Sequence, residues 1–179
     1  GSKLRKVTGS ICSICYALKG RYSYPNVRNA LERRFASLEH PQWIPAMVMA
    51  IKWYGNSGFF RWHDSGDIQD IEHLEQIAEV ARRTPHCKHW LPTREYAIVA
   101  AYHAQYDIPA NLIIRLSAMF TDKPVKVPSS LRGMANVTAS NVHKTGKAFG
   151  KPCPAYTRGG ACGTCRVCWS SAVVSYPLH

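Results

Sequence analysis

Residues 89–116, HWLPTREYAIVAAYHAQYDIPANLIIRL, decide the fold. Residues 89–91 read as a short apolar strand, and residues 95–106 carry helical spacing. Residues 112–116 form a near-continuous aliphatic run, the pattern of a strand covered on both faces. Strand, helix and strand in that order make a parallel βαβ unit. Working upstream, Ile68, Ile71, Leu74, Ile77, Ala78 and Ala81 mark an amphipathic helix over 68–83, preceded by a buried strand at 59–62. Further upstream, Asn26 reads as the cap of a helix carrying Val27, Ala30, Leu31, Phe35 and Leu38. A second helix over 45–54 ends at a Gly55-Asn56-Ser57-Gly58 turn. Downstream, residues 135–139 read as a weaker strand. The expected fold is α/β, a partial (βα) barrel or open parallel sheet. Residues 1–179 form one domain, stapled by metal. Its Cys-rich, irregular tail at 144–179 packs back on the N-terminal cysteine loop.

The chain has 179 residues, 23 Lys+Arg against 11 Asp+Glu, a net charge of +12 and 46% apolar residues. This is the size of one domain with a real core. No apolar run approaches the roughly 18 residues of a membrane span, and no stretch resembles a signal peptide. Gly1-Ser2 reads as a cloning remnant. A soluble, cytoplasmic protein without a membrane partner is expected. Six of the acids lie between Asp64 and Glu79, and none follows Asp122, whereas eight Lys/Arg do. Such a tail, with Tyr156, Trp169 and Tyr176 among its cations, suits a nucleic-acid-binding module that pairs phosphate contacts with base stacking. A basic surplus equally offsets a buried anionic group.

Six of the seven cysteines fall into two sets, Cys12-x2-Cys15 near the start and Cys153, Cys162, Cys165 and Cys168 near the end. Cys87 stands alone and reads as a packed thiol. Paired cysteines at these spacings chelate metal. Cys162-x2-Cys165-x2-Cys168 fits a [4Fe–4S] loop, with Cys153-Pro154 as a remote ligand. Zinc on two Cys-x2-Cys knuckles is the alternative, and a redox dithiol or disulfide a third. One cluster needs four of the six ligands. A centre joining both ends of the chain would couple metal binding to folding.

Polar groups recur where the predicted strands end, which is where α/β sheets hold their ligands. His63, Asp64, Ser65 and Asp67 follow the first strand. Thr93, Arg94 and Glu95 follow the second, Ser117 and Met119 the third, and Ser140, Asn141 and His143 the fourth. Helix capping accounts for some of these. As a set they suit a small-molecule or nucleotide ligand, with Ser65 and Asp67 on its polar head and Arg94 and Arg115 on an anionic part. An ester hydrolase is the alternative enzyme. Ser65 would be the nucleophile, with His63, Asp67 and the N-terminus of the 68–83 helix in support; His89 and His143 are equal candidates for the base.

Three segments, Cys12-Ser13-Ile14-Cys15-Tyr16-Ala17, Phe60-Arg61-Trp62-His63-Asp64-Ser65-Gly66-Asp67 and Cys162-Gly163-Thr164-Cys165-Arg166-Val167-Cys168-Trp169, together resemble the bacteriophage gene product eighty-eight family over most of the chain. That resemblance implies a phage protein in the host cell cytoplasm. A more distant likeness is to radical S-adenosylmethionine enzymes, which implies a partial barrel, a [4Fe–4S] cluster and S-adenosylmethionine as a cofactor. Cys12, Cys15 and Tyr16 resemble the end of their cysteine loop, although Thr8 stands where its first cysteine would fall. Ser65-Gly66-Asp67 is similar to their Gly-Gly-Glu segment, and Arg115-Leu116-Ser117 to the strand that contacts the cofactor's ribose and carboxylate. With cysteines of the tail completing its coordination, the cluster becomes a closed, structural one on a degenerate barrel.

Overall fold

Parallel strands cannot be joined by tight turns, so each step between them needs a crossover. A computed structural model describes residues 3–55 and 58–178 of the chain; Asn56 and Ser57 of the expected turn lie outside the described residues. The strands are β1 (Phe59–Arg61), β2 (Lys88–Thr93), β3 (Leu112–Thr121), β4 (Val137–His143), β5 (Lys151–Pro152) and β6 (Val174–Pro177). They form one parallel six-stranded sheet, an open half-barrel, in the order β1-β2-β3-β4-β6-β5. Helices α1 (Pro25–Ala36) and α2 (Trp43–Tyr54) precede β1, α3 (Ile71–Arg83) joins β1 to β2, and α4 (Tyr96–His103) joins β2 to β3. No helix of the described residues is long and apolar enough to cross a membrane.

The register divides the sheet into two unlike faces. Phe60, Leu91, Leu112, Ile114, Leu116 and Val137 share one face and pack with Leu74, Ile77, Ala78 and Ala81 of α3 into the main apolar core. Arg61, Trp90, Arg115, Thr138 and Tyr176 project from the other face. Strand order explains what covers that second face. From β1 to β4 the chain advances across the sheet, whereas β5 is outermost and β6 steps back toward β4. A right-handed crossover made in the reverse direction must pass over the opposite face. Residues 153–173, the cysteine-rich segment, therefore serve as the β5–β6 crossover and lie on the face that the helices leave bare. Gly150, at φ +105°, lets this segment begin close to β6, since a Cβ there would sit 2.5 Å from Val173 O.

Several boundaries differ from the periodicity. The third helix starts at Ile71 because the Asp70 carboxylate accepts the His73 N–H at 2.7 Å and caps it; Ile68 is buried outside the helix. Asn26 is not a cap: α1 begins with Pro25 in its first turn, after Tyr24. The third strand extends to Thr121, where Phe120 also pairs with Ser10 of the N-terminal segment. The tail is irregular from Cys153 onward only until β6, a strand that its Gly, Pro and Cys content conceals. Cys87 is fully buried in the core, as a packed thiol should be.

A hydrogen-bonded relay inside the core fixes a neutral histidine. His89 is fully buried; its Nδ1 accepts the Trp62 indole N–H at 3.2 Å, and its Nε2 lies 2.8 Å from Thr84 Oγ1. Thr84 Oγ1 in turn donates to Val80 O at 2.7 Å, which leaves it to accept the proton of Nε2. Burial holds the His89 pKa down to about 4, below the 6.5 of a free imidazole. In that interval the unfolded chain binds a proton that the folded chain refuses. Stability is therefore complete above pH 6.5 and falls as pH drops toward 4, by about 2–3 kcal/mol for this residue. Urea unfolding at pH 7 and pH 5 measures this loss together with those of His63 and His73, whose pKa values burial also lowers to about 4, and His89→Gln should reduce the total by the share of His89. A separate prediction concerns the tail. Trp169 donates its indole N–H to Phe60 O at 2.9 Å and packs edge-on against Phe59 and Trp90. Trp169→Ala should cost about 2–3 kcal/mol in the same assay.

Candidate functional site

Two places combine unusual burial with chemically able groups, the crossover on the inner face and a cavity at the end of β1. The crossover is organised by Arg115, which is fully buried. Its Nη1 donates to Ala139 O at 2.8 Å and Ala172 O at 2.9 Å, and its Nη2 to Ser170 O at 2.9 Å and Cys168 O at 3.1 Å. Thr138 Oγ1 adds a bond to Ser171 O at 2.8 Å. Among the described residues Arg115 Nε has no acceptor, and neither has the buried indole nitrogen of Trp90 on the same face. Among the described residues Arg115 is in no ion pair. The ionisable groups that act on it are Tyr176 and Cys168, while burial lowers its own pKa.

Cys168 is half-buried, with its Sγ 3.1 Å from Tyr176 Oη. Burial raises the thiol's pKa; the Tyr176 bond and the Arg115 charge oppose that, and Cys153 and Cys162 lie near enough to add to it. Burial pushes the Tyr176 phenol far up as well. Cys153 donates its N–H to Ser175 O at the end of β5, and Cys165 donates its own to Cys162 O in a tight turn. Cys12 and Cys15 belong to the N-terminal turns, which reach the end of β3 through the Ser10–Phe120 bridge. All seven thiols are free, and among the described residues no three or more His, Cys, Asp or Glu side chains converge as metal ligands. By chemistry alone, four thiols on one crossover suit a thiolate-bound centre. Its arrangement is that of uncoordinated thiols.

The second place is a cavity of about 1140 Å³ between α1, α2 and the loop after β1. Trp43, Trp62, His63 and His73 line it and touch ring to ring around a closed circuit, with centroids 6.2, 6.5, 5.6 and 6.0 Å apart. His63 holds a left-handed backbone, φ +55°, which re-aims the chain as it leaves β1. Its Nδ1 is buried without a partner. Burial lowers the pKa of both His63 and His73 to about 4. His73 Nδ1 accepts the Gln69 N–H at 3.3 Å, so its proton resides on Nε2. Both rings are uncharged at neutral pH, offering hydrogen bonds without a charge.

The remaining expected site residues are placed as follows. Asp67 binds across the strand ends: it accepts Thr93 Oγ1 at 2.5 Å, Ile68 N at 2.9 Å and Arg94 N at 2.8 Å, yet burial still raises its pKa. Arg94 Nε donates to Ala118 O at 2.9 Å, and Ser117 O accepts the Tyr96 hydroxyl at 2.6 Å. Asp64 is exposed and is met by the hydroxyls of Tyr16 and Tyr22 from the N-terminal segment. Ser65 lines the cavity, but among the described residues no hydrogen bond joins it to His63 or Asp67. His89 belongs to the core, and His143 Nδ1 pairs with Ser175 Oγ at 2.8 Å. Trp169 and Tyr176 of the tail are half-buried and bonded inward, and Tyr156 is exposed. Sequence reasoning missed His73 and Trp43, and it read Tyr176 as a stacking residue of the tail and not as the partner of Cys168. Of the missed pair only His73 carried a signal, three residues after the Asp70 cap on the inward side of its helix.

No curated protein and no solved structure matches the chain. The family model for Gene product 88 matches residues 6–171, a span that includes both cysteine sets, the loop after β1 and Arg115. The chain belongs to the Gene product 88 family.

Proposed function

We propose that this protein is a phage iron–sulfur protein in which Cys153, Cys162, Cys165 and Cys168 of the β5–β6 crossover hold a [4Fe–4S] cluster, while the cavity after β1 takes the ligand. The observation that carries this reading is Arg115, a fully buried guanidinium in no ion pair among the described residues, with Cys168 and Tyr176 as its ionisable neighbours. A buried cation without a counter-charge is costly. Four thiolates on a metal centre supply net negative charge beside it, and the unpartnered N–H groups of Arg115 and Trp90 are donors suited to cluster sulfur. Zinc on the same thiolates would balance the charge equally well. The run Cys162-x2-Cys165-x2-Cys168 with Cys153-Pro154 favours iron–sulfur. The group would supply a negatively charged centre that braces the tail. The chain's own residues do the rest: Arg115 pins the carbonyls of the crossover, and Trp169 seals its edge.

The likeness to radical S-adenosylmethionine enzymes extends this reading to a degenerate barrel. Cys12 and Cys15 are the two loop cysteines present, and the tail occupies the inner face. Ester hydrolysis has less support, because the Asp67 carboxylate is engaged by Thr93, Arg94 and Ile68 and Ser65 has no bonded base. Anaerobic purification followed by iron, sulfide and zinc analysis tests the proposal. About four irons and four sulfides per chain are expected. Cys165→Ser and Cys168→Ser should each lose more than half of the iron, and Cys15→Ser should keep it. A colourless protein with zinc alone, or one without metal, contradicts the assignment.

A further inference from the structure

Several acidic residues of this basic chain are engaged by partners within the fold. Glu75 and Glu79 pair with Arg82 and Arg83, Asp67 and Asp70 receive backbone N–H groups, and Asp122 accepts those of Lys144 and Gly146. The first forty residues differ. From Lys3 to His40 there are eight Lys/Arg and two acids, Glu32 and Glu39. Arg21, Arg28, Arg33 and Arg34 are exposed, and among the described residues none of them is in an ion pair. Between these cations stand aromatic rings that the fold leaves in water: Tyr16 is 58% exposed, Tyr24 55% and Phe35 57%. Arg34 and Phe35 form part of the rim of the strand-end cavity, with Tyr22 opposite them on the segment that follows the cysteine turn.

A polyanion that also offers flat faces matches this surface in both respects, since its phosphates meet the arginines and its unpaired bases stack on exposed rings. Paired bases would hide the faces that Tyr16, Tyr24 and Phe35 need. The tail is as basic, but Trp169 and Tyr176 are committed to contacts inside the fold. We infer that a single-stranded nucleic acid docks across α1 and the preceding turns, its backbone along Arg28 and Arg34, which flank the cavity-facing side of α1, with one base turned into the cavity against Trp43 and the imidazoles of His63 and His73. Uncharged imidazoles suit a neutral base edge, and the cavity of about 1140 Å³ has room for a base taken out of its stack. This surface shares no residue with the thiols, so it stands or falls apart from the metal centre.

Fluorescence anisotropy of the purified full chain with a labelled 12-nucleotide mixed-sequence strand, as DNA and as RNA, tests it. Binding should weaken steeply with salt, with log K falling by about 0.7 per phosphate contact for each unit of log salt. A duplex of the same sequence should bind at least about tenfold more weakly. Arg28→Glu with Arg34→Glu should weaken the strand at least about tenfold with an unchanged circular dichroism spectrum. Tyr24→Ala should weaken it about fivefold or more. Arg158→Glu in the tail should change it less than about twofold. Several results would overturn the inference: salt-independent binding, equal affinity for the duplex, loss of binding through Arg158 instead of Arg28 and Arg34, or adenosine monophosphate competing at the strand's own concentration. The last would make the cavity a site for free nucleotides.

Discussion

One buried guanidinium holds two halves of this protein together. Arg115 rises from the middle of β3, where the sheet is fully covered, and its donors meet carbonyls of the next strand and of the crossover. Backbone carbonyls offset part of the cost of a charge in that position, each bond to a charged donor contributing about 1.5–3 kcal/mol. The same contacts explain how a segment of Gly, Pro and Cys, unable to form a helix, takes a helix's place as a crossover. Carbonyls that a helix would have satisfied within itself turn toward one arginine.

From that constraint follows the layout of the two candidate sites. The crossover fills the concave face of the half-barrel, so the cavity lies elsewhere, at the exit of β1 beneath α1 and α2. The N-terminal segment links the regions: Ser10 pairs with Phe120 at the end of β3, and Tyr16 and Tyr22 reach Asp64 beyond β1. The cysteines at 12 and 15 thus sit above the strand ends, and those from 153 to 168 lie against the inner face.

Alternation of strand and helix was legible because burial writes itself into side-chain type. The aliphatic run 112–116 and the apolar stripe of α3 announce a covered strand and a half-covered helix. Where backbone groups decide, the sequence is silent. The short strands β5 and β6 exist through main-chain pairing, β6 to β4 and β5 to β6, and composition hides them. The acceptors of Arg115 are carbonyls from residues 139 to 172, which no side-chain pattern encodes. Ser65 and Asp67 were readable as strand-end groups. The bonds that tie Asp67 to Thr93 and Arg94 were not, nor was the circuit of rings drawn from positions 43, 62, 63 and 73. The start of α3 was misplaced by three residues because Ile68 keeps the apolar rhythm while Asp70 sets the cap.

The dependence of the crossover on Arg115 is open to direct measurement by hydrogen exchange across the whole chain in Arg115→Met. Amides of residues 167–172 should exchange at loop rates in the variant, while those of α3 and β2 keep their protection. Unchanged protection of 167–172 would contradict the claim, showing that the crossover holds its place without the guanidinium.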